Sequence, residues 1–518
     1  EHNYLYPIQN DKKFNEKIVS KKEFYDTRYE VHDVEDYENI VDYTQKICDY
    51  TEFELEPHQM FVRNFMSNQT PYNGLLLYHG LGTGKTCSAI SVCEETRTYM
   101  QQLGVSKKII IVASPAVQEN FKIQLFNERK LKKIDGLWNI KACIGNKFIK
   151  EINPMNMRGL SRNKVVRQIK KLIKQSYTFK GYTEFSNSII KVMNKLVTMD
   201  DTAETIERKQ QRSLRLEFSN RMLVIDEVHN IRLSKEGAIK KSSENLSSLV
   251  KCAQNLKLLL LSATPMFDSH TEIVWILNLL NLNDNRYPVA TNEIFNKKGE
   301  FKPSTEKSEG GEELLIRKSI GYISYVRGEN PFSFPYRIWP EMAGNPLSLF
   351  VKKNDGIFRY PEKQLNGHTI IAPISLIDLT LVKIGNYQQK GYDKLLAYLK
   401  TTKKTNNGKP VISSESKSIS FTALEAPLQS LNIIYPYSEL EKDNLDEDML
   451  NYLYGRKGLA RTMNYTPKTK RDFLYKDVTL KNFGRIFAPE NIGLYSSKIA
   501  YICDRIRQSE GIVFIYSQ

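Results

Sequence analysis

No stretch of this 518-residue chain approaches the ~20 consecutive apolar residues that a membrane span needs. The nearest candidate, Ile273 to Leu282, is short and is broken by Asn278 and Asn281. Cysteine is scarce, with six residues at positions 48, 87, 93, 143, 252 and 503. None forms a C-x-x-C pair, which argues against a zinc ribbon. Their scatter fits reduced thiols of an intracellular protein better than a disulfide framework. No signal peptide opens the sequence, and no internal repeat is visible. The first residue is Glu1 rather than Met, and the last residues include the apolar run Ile512-Val-Phe-Ile-Tyr516. Both ends are therefore expected to belong to a longer protein.

The composition is that of a globular chain, 41% hydrophobic and 26% charged. This excludes a mostly disordered or collagen-like polymer. The length asks for two or three domains rather than one core. Seventy-five Lys and Arg against 59 Asp and Glu leave a net charge of +16. Such an excess favours a polyanionic partner, with nucleic acid ahead of an anionic membrane surface.

Residues 1 to about 50 are charged and Tyr-rich without clear periodicity, and read as an extension that packs on something else. From residue 51 to about 285, short apolar runs alternate with helical patterns. The runs are Gly74–Tyr78, Ile109–Ala113, Met222–Ile225 and Leu258–Leu261. Fully apolar strands alternating with helices predict an α/β domain, a parallel sheet covered on both faces. Between Lys147 and Lys180, ten Lys and Arg face a single acid, Glu151. Val165, Val166, Ile169, Leu172 and Ile173 recur there at helical spacing, with Arg167, Lys170, Lys171 and Lys174 largely off that stripe. That basic face is either a solvated helix surface or a phosphate-contacting one. Residues 286 to about 490 alternate helical patterns with polar stretches, and Thr401 to Ser420 reads as an exposed loop. In residues 491–518 an amphipathic helix on Ile499, Ile502 and Ile506 and a strand at Ile512–Tyr516 suggest a second α/β unit starting.

Three motifs carry chemistry. In Gly74-Leu-Leu-Leu-Tyr-His-Gly-Leu-Gly-Thr-Gly-Lys-Thr86 an apolar strand enters a glycine-rich turn, and a helix follows. Gly80, Gly82 and Gly84 let the backbone approach a phosphate, with Leu81 and Thr83 between them. The helix directs its positive end at the same anion. Lys85 would reach the β- and γ-phosphates, and the Thr86 hydroxyl would bind Mg²⁺. The first position of the G-x-x-x-x-G-K-[ST] pattern is His79 rather than Gly. About 140 residues later, Met222-Leu-Val-Ile-Asp226-Glu227-Val228-His229 ends a second buried strand in carboxylates. Asp226 would hold the same Mg²⁺, and Glu227 would orient or deprotonate the attacking water. The third, Leu258-Leu-Leu-Leu-Ser262-Ala-Thr264-Pro265, ends a strand in hydroxyls. Ser262 and Thr264 could bond to His229 and sense the γ-phosphate.

The set G-x-G-K-T, D-E-V-H and S-A-T, in this order, resembles the first RecA-like lobe of superfamily-two helicases and translocases. The resemblance implies ATP and Mg²⁺ as cofactors. It makes Gln59 in Glu56-Pro-His-Gln59 the adenine-reading glutamine, and Ser114-Pro115 a nucleic-acid backbone contact. Tyr182-Thr-Glu-Phe185 matches another strand-contacting motif loosely, and a core role suits Tyr182 and Phe185 equally. Tyr6–Phe14, Tyr177–Tyr182, Gly321–Phe332 and Ser333–Trp339 resemble helicase-like proteins of large cytoplasmic DNA viruses. Those are similar to the poxvirus early transcription factor small subunit and nucleoside triphosphate phosphohydrolase I. For Ser333–Trp339, an interdomain packing surface is the plain alternative. This narrower resemblance implies a cytoplasmic viral factory or the virion as the setting, and a viral RNA polymerase or transcription-factor subunit as partner.

In that family a second RecA-like lobe supplies an arginine finger from a Q-x-x-G-R-x-x-R-like motif. No such sequence lies in these residues. Loss of such a cation costs about 10³ to 10⁵ in rate in other phosphoryl-transfer enzymes. These residues alone are therefore expected to bind ATP and hydrolyse it poorly. The function expected is an ATP-dependent helicase or translocase moving on DNA or RNA. The alternative is an ATPase switch in viral early transcription without strand separation. A small GTPase fits worse, since no N-K-x-D motif stands at a suitable strand end, and a P-loop kinase would not carry the S-A-T strand in this order.

Overall fold

A computed structural model describes residues 5–29, 45, 55–154, 159–231, 237–266, 269–305, 308–326, 361–370, 379–401, 412, 421–442, 446–465 and 473–515. Residues 327–332 and Ser333–Trp339, nearly all of the Thr401–Ser420 loop, and Tyr516 lie outside them. The chain divides into two compact units, Glu1–Tyr336 and Arg337–Gln518.

The first unit is built on a six-stranded parallel sheet. Its strands are β1 (Gly74–His79), β2 (Ile109–Val112), β5 (Tyr177–Lys180), β6 (Met222–Ile225), β7 (Lys257–Ser262) and β8 (Ile323–Val326). Their order across the sheet is β5-β2-β6-β7-β1-β8. A two-stranded antiparallel hairpin, β3 (Leu131–Ile134) with β4 (Leu137–Ile140), stands apart. Register fixes which side chains share a face. Ile111 pairs with Val224, Val224 with Leu259 and Leu75 with Leu259. Alternate residues then point to opposite faces. Leu75, Leu77, Ile111, Val224 and Leu259 join one core, while Leu76, Ile110, Leu223 and Leu258 join the other. This is why the four inner strands are apolar at nearly every position.

The first core is covered by α1 (Phe14–Val19), α2 (Lys22–Tyr25), α3 (Pro57–Phe65), α4 (Lys85–Gln102), α5 (Pro115–Leu125), α6 (Lys147–Ile152) and α7 (Arg162–Ser176). Phe14, Ile18 and Phe24 are buried in it, so residues 5–29 pack on this unit's own core. The second core lies under α8 (Tyr182–Met193), α9 (Ala203–Phe218), α10 (Gly237–Cys252) and α11 (Glu272–Asn283). α11 contains the apolar run Ile273–Leu282; it is a buried core helix, and no helix among the described residues is long and apolar enough to cross a membrane. The expected stripe of α7 is observed, with Val165 and Ile169 buried and Val166, Leu172 and Ile173 packed beside them.

One expectation fails in this unit. Cys87 and Cys143 are not separate thiols but a disulfide, with Cα atoms 5.3 Å apart. The segment after β4 folds back on α4, a long-range contact that cysteine spacing does not reveal.

The second unit is mostly helical, as its sequence suggests. It contains α12 (Asn386–Thr401), α13 (Phe421–Asn432), α14 (Gly455–Thr462) and α15 (Ser497–Gln508), with a small antiparallel pair, β9 (Met463–Tyr465) and β10 (Phe473–Tyr475). Leu395, Leu399, Ile434 and Leu453 form its core. The expected C-terminal helix is α15. The expected strand after it is absent among the described residues, and Ile512–Ile515 lie exposed or nearly so. A strand exists only when a neighbour satisfies its backbone groups, and none pairs there.

Candidate ATP site

All six strands of the sheet are parallel, so their carboxyl ends share one edge. Ligands of such sheets bind there. The ends of β1, β2, β6 and β7 deliver the phosphate loop, Ser114, Asp226 and Ser262 to that edge.

The loop between β1 and α4 needs glycine at two positions. Gly82 and Gly84 have φ of 80° and 75°, a region that costs other residues about 1–2 kcal/mol. Gly84 is also the N-cap of α4, and a Cβ there would overlap the Gln59 amide nitrogen. Gly80 behaves differently: its N–H donates to the Val326 carbonyl of β8 at 3.1 Å, away from any phosphate. Leu81 is exposed, and the Thr83 hydroxyl donates to the Gly80 carbonyl at 2.8 Å. Lys85 and Thr86 open α4. The Lys85 ammonium donates to the carbonyls of His79 and Gly80 at 2.9 and 3.1 Å. Burial lowers the Lys85 pKa, and the carboxylates of Glu227 and Asp226 partly oppose that. Lysine and carboxylates therefore share one field.

The departure at position 79 has a structural reason. His79 is the last residue of β1, fully buried, and its Nε2 meets the Ser324 hydroxyl of β8 at 2.8 Å. Burial, then nearby His58 and Lys85, pull its pKa to about 3, so the ring is neutral. The side chain anchors the loop to the edge strand without entering the phosphate-facing turn.

Gln59 is buried at the start of α3. Its Oε1 accepts from the Glu56 N–H at 3.1 Å, completing a capping box. Its Nε2 donates to the Thr83 and Gly84 carbonyls, each at 3.3 Å. The glutamine thus ties α3 to the phosphate loop.

Asp226 continues the ladder past β6, its N–H donating to the Val112 carbonyl at 2.9 Å. Its Oδ1 accepts from the Glu227 N–H at 3.0 Å. Burial, then the Glu227 charge, raise its pKa to about 6. Glu227 holds φ of 46°, a left-handed backbone that costs a β-carbon residue about 1 kcal/mol or more. Such strain recurs where a side chain must be aimed. His229 lies 3.3 Å from the Glu227 carboxylate and bonds through Nδ1 to the Ser262 hydroxyl at 2.9 Å. Thr264 reaches this group by its backbone N–H, which donates to Ser262 Oγ at 3.0 Å.

A magnesium ion fits these donors. Thr86 offers a hydroxyl, and Asp226 a buried carboxylate that no side-chain cation pairs among the described residues. Mg²⁺ is ordinarily held by one or two such groups together with phosphates and water.

Ser114 is the N-cap of α5 and Pro115 its exposed first residue, at the same sheet edge. Lys170, Lys171 and Lys174 are exposed but lie elsewhere. The Lys174 carbonyl accepts from Lys108, just before β2 begins, whereas Ser114 follows its end. The chain from α7 thus enters the sheet at the edge opposite the phosphate loop. Lys170 is moreover paired with Glu128 at 2.8 Å. The helical stripe is as the sequence predicts, and the sheet topology separates Lys174 from Ser114 and Pro115.

Sequence reasoning undervalued Tyr182. Phe185 is buried core, but the half-buried Tyr182 hydroxyl donates to the Asp226 carbonyl at 2.9 Å and accepts from Asn230 at 3.2 Å. Its position just after β5, at the same edge, was the available signal.

Residues 58–317 match the SNF2-related domain, half of the chain. The chain belongs to the SNF2-related domain family. Individual relatives are more distant. A protein of Acanthamoeba polyphaga mimivirus named "Putative ATP-dependent RNA helicase" is 27% identical over 359 residues, 65% of this chain and 28% of that protein. A "Putative helicase" of Invertebrate iridescent virus 3 is 28% identical over 285 residues, 53% of this chain and 23% of that one. An "Early transcription factor large subunit homolog" of African swine fever virus is 22% identical over 336 residues, 57% of this chain and 30% of that protein. This SNF2-related chain spans less than a third of the length of each of these three.

Proposed function

We propose that this SNF2-related chain is the ATP-binding part of an ATP-dependent nucleic-acid translocase or helicase of a large DNA virus. The observation that carries this reading is the meeting of three sequence-distant groups at one sheet edge. They are the Gly82–Thr86 turn, the Asp226–Glu227 pair and the His229–Ser262 bond. Gly82, Thr83, Gly84, Lys85 and Thr86 bind the phosphates, and Gln59 reads the base through the second lone pair of its Oε1, while its amide nitrogen stays on the loop carbonyls. Thr86 and Asp226 hold Mg²⁺, which when bound neutralises phosphate charge. Glu227 positions the attacking water and takes its proton. His229, held between Glu227 and Ser262, relays the state of the γ-phosphate toward β7. Ser114 and Pro115 contact the backbone of the track. Lys170, Lys171 and Lys174 of α7 are assigned a separate, charge-driven contact with the track, since Lys174 lies toward the end of β2 opposite Ser114.

The test is strand movement by the full-length protein. Lys85→Ala should abolish ATP-driven displacement of an annealed strand while leaving nucleic-acid binding largely intact. Retained movement in that variant sinks the assignment. The similarity to the African swine fever virus protein favours a second reading, an ATPase switch in early transcription, at a cytoplasmic factory or in the virion. Co-purification with viral RNA polymerase subunits, without unwinding of any duplex, would select it.

A further inference from the structure

We propose that Cys87 and Cys143 form a reversible thiol–disulfide site that sets the affinity of this lobe for the nucleoside end of ATP. The proposal rests on the ATP-binding reading above. Cys87 directly follows Thr86 in the first turn of α4, and Cys143 lies between β4 and α6. Their Cα separation of 5.3 Å is within the ordinary range for a disulfide.

The segment carrying Cys143 walls a cavity of about 560 Å³. Cys143 and Gly145 form one side of it; Met60 and Arg63 of α3 and Ser91 and Glu95 of α4 form others. Met60 adjoins Gln59, and Ser91 lies one helical turn beyond Cys87. Leu55 also lines it, just before the Glu56-Pro-His-Gln59 turn, so the cavity borders the start of α3, the helix that carries the residue assigned to the base, although Gln59 and the phosphate loop do not themselves line it. Its volume suits a nucleoside.

The far end of the segment is fastened independently. Lys147 donates to the Glu94 carbonyl at 2.8 Å, and Glu151 pairs with the buried Arg97 at 2.7 Å. Breaking the disulfide therefore removes one fastening of the short stretch beside the cavity, whose Ala142 and Cys143 stay packed in the first core, and leaves α6 docked. Reduction should loosen the cavity wall without unfolding the lobe. Cys143 is only 4% exposed but lines the cavity, and Cys87 is partly exposed, so a small thiol or disulfide can reach the bond. Cys93, by contrast, is fully buried.

The chemistry balances with a small-molecule disulfide as oxidant. One cysteine thiolate attacks a sulfur of that disulfide and expels one thiol. The second cysteine attacks the protein sulfur of the mixed disulfide and expels the other. Two protein thiols are oxidised, and one external disulfide is reduced to two thiols.

The test measures binding of a fluorescent ATP analogue with Mg²⁺ to the 518-residue chain, after oxidation with glutathione disulfide or reduction with a phosphine. Peptide mapping without reductant accompanies it. The oxidised chain should yield a linked Cys87–Cys143 peptide and bind about 5- to 10-fold more tightly than the reduced chain. Cys143→Ser should bind at the weaker level in both conditions, and Cys252→Ser should respond like the parent. All forms should keep a cooperative thermal transition. Absence of the linked peptide, or equal affinity in both conditions, overturns the switch alone. No binding in either condition overturns the ATP-site reading and the switch with it.

Discussion

Gly84→Ala tests the geometry of the phosphate loop most sharply, because two separate penalties meet at that position. The first is conformational: φ of 75° costs alanine about 1–2 kcal/mol. The second is steric. The new Cβ would overlap Nε2 of Gln59, and displacing that amide breaks its bonds to Thr83, Gly84 and Glu56. At about 0.5–1.5 kcal/mol for each of the two bonds to the loop, with the Glu56 bond remade, the total against the native loop is about 2–5 kcal/mol. Since 1.4 kcal/mol is a factor of ten, ATP affinity should fall about 30-fold or more. Calorimetric titration with Mg-ATP measures it. The same substitution in a Gln59→Ala background retains only the conformational share, so it should cost about tenfold there. Equal costs in the two backgrounds would refute the clash, and no cost in either would refute the loop conformation itself.

Tyr182→Phe removes the hydroxyl bonded to the Asp226 carbonyl and to Asn230; ATP binding should hold while nucleic-acid stimulation of hydrolysis falls severalfold, and undiminished stimulation would make Tyr182 a packing residue. Asp226, with its pKa near 6, must lose a proton to bind Mg²⁺. Mg-ATP affinity should therefore be flat above about pH 7 and fall up to tenfold per unit below 6, and Asp226→Asn should be weak and flat throughout. The same raised pKa makes the folded state hold its proton longer than the unfolded one. About 3 kcal/mol of stability, present below pH 3.8, is lost as pH rises toward 6, and Asp226→Asn should flatten that part of the stability profile. Arg97→Met strands the buried Glu94 and the half-buried Glu151, so chemical denaturation should show a loss of about 3–5 kcal/mol; a neutral result would show that the carboxylates find other partners or protons.

The inner sheet was legible because β1, β2, β6 and β7 are covered on both faces, which forces continuous apolar runs. The same rule hides the two outer strands. Tyr177-Thr-Phe-Lys180 and Ile323-Ser-Tyr-Val326 border the sheet and are only partly buried, so their side chains need not be apolar. The ATP-site residues were readable because phosphate and metal chemistry restricts residue type and order. The role of His79 was not, since it depends on Ser324, 245 residues away. Nor was the separation of Lys174 from Ser114, because a helical stripe says nothing about which end of the sheet it reaches. The Cys87–Cys143 contact is of the same kind, set by how the chain after β4 returns to α4.

The most direct test is the ATP turnover of the full-length protein alone and with single- and double-stranded DNA and RNA. A nucleic-acid motor should be stimulated by at least one polymer, and Lys85→Ala should abolish that turnover. Turnover indifferent to every polymer, or unchanged by Lys85→Ala, would contradict the account.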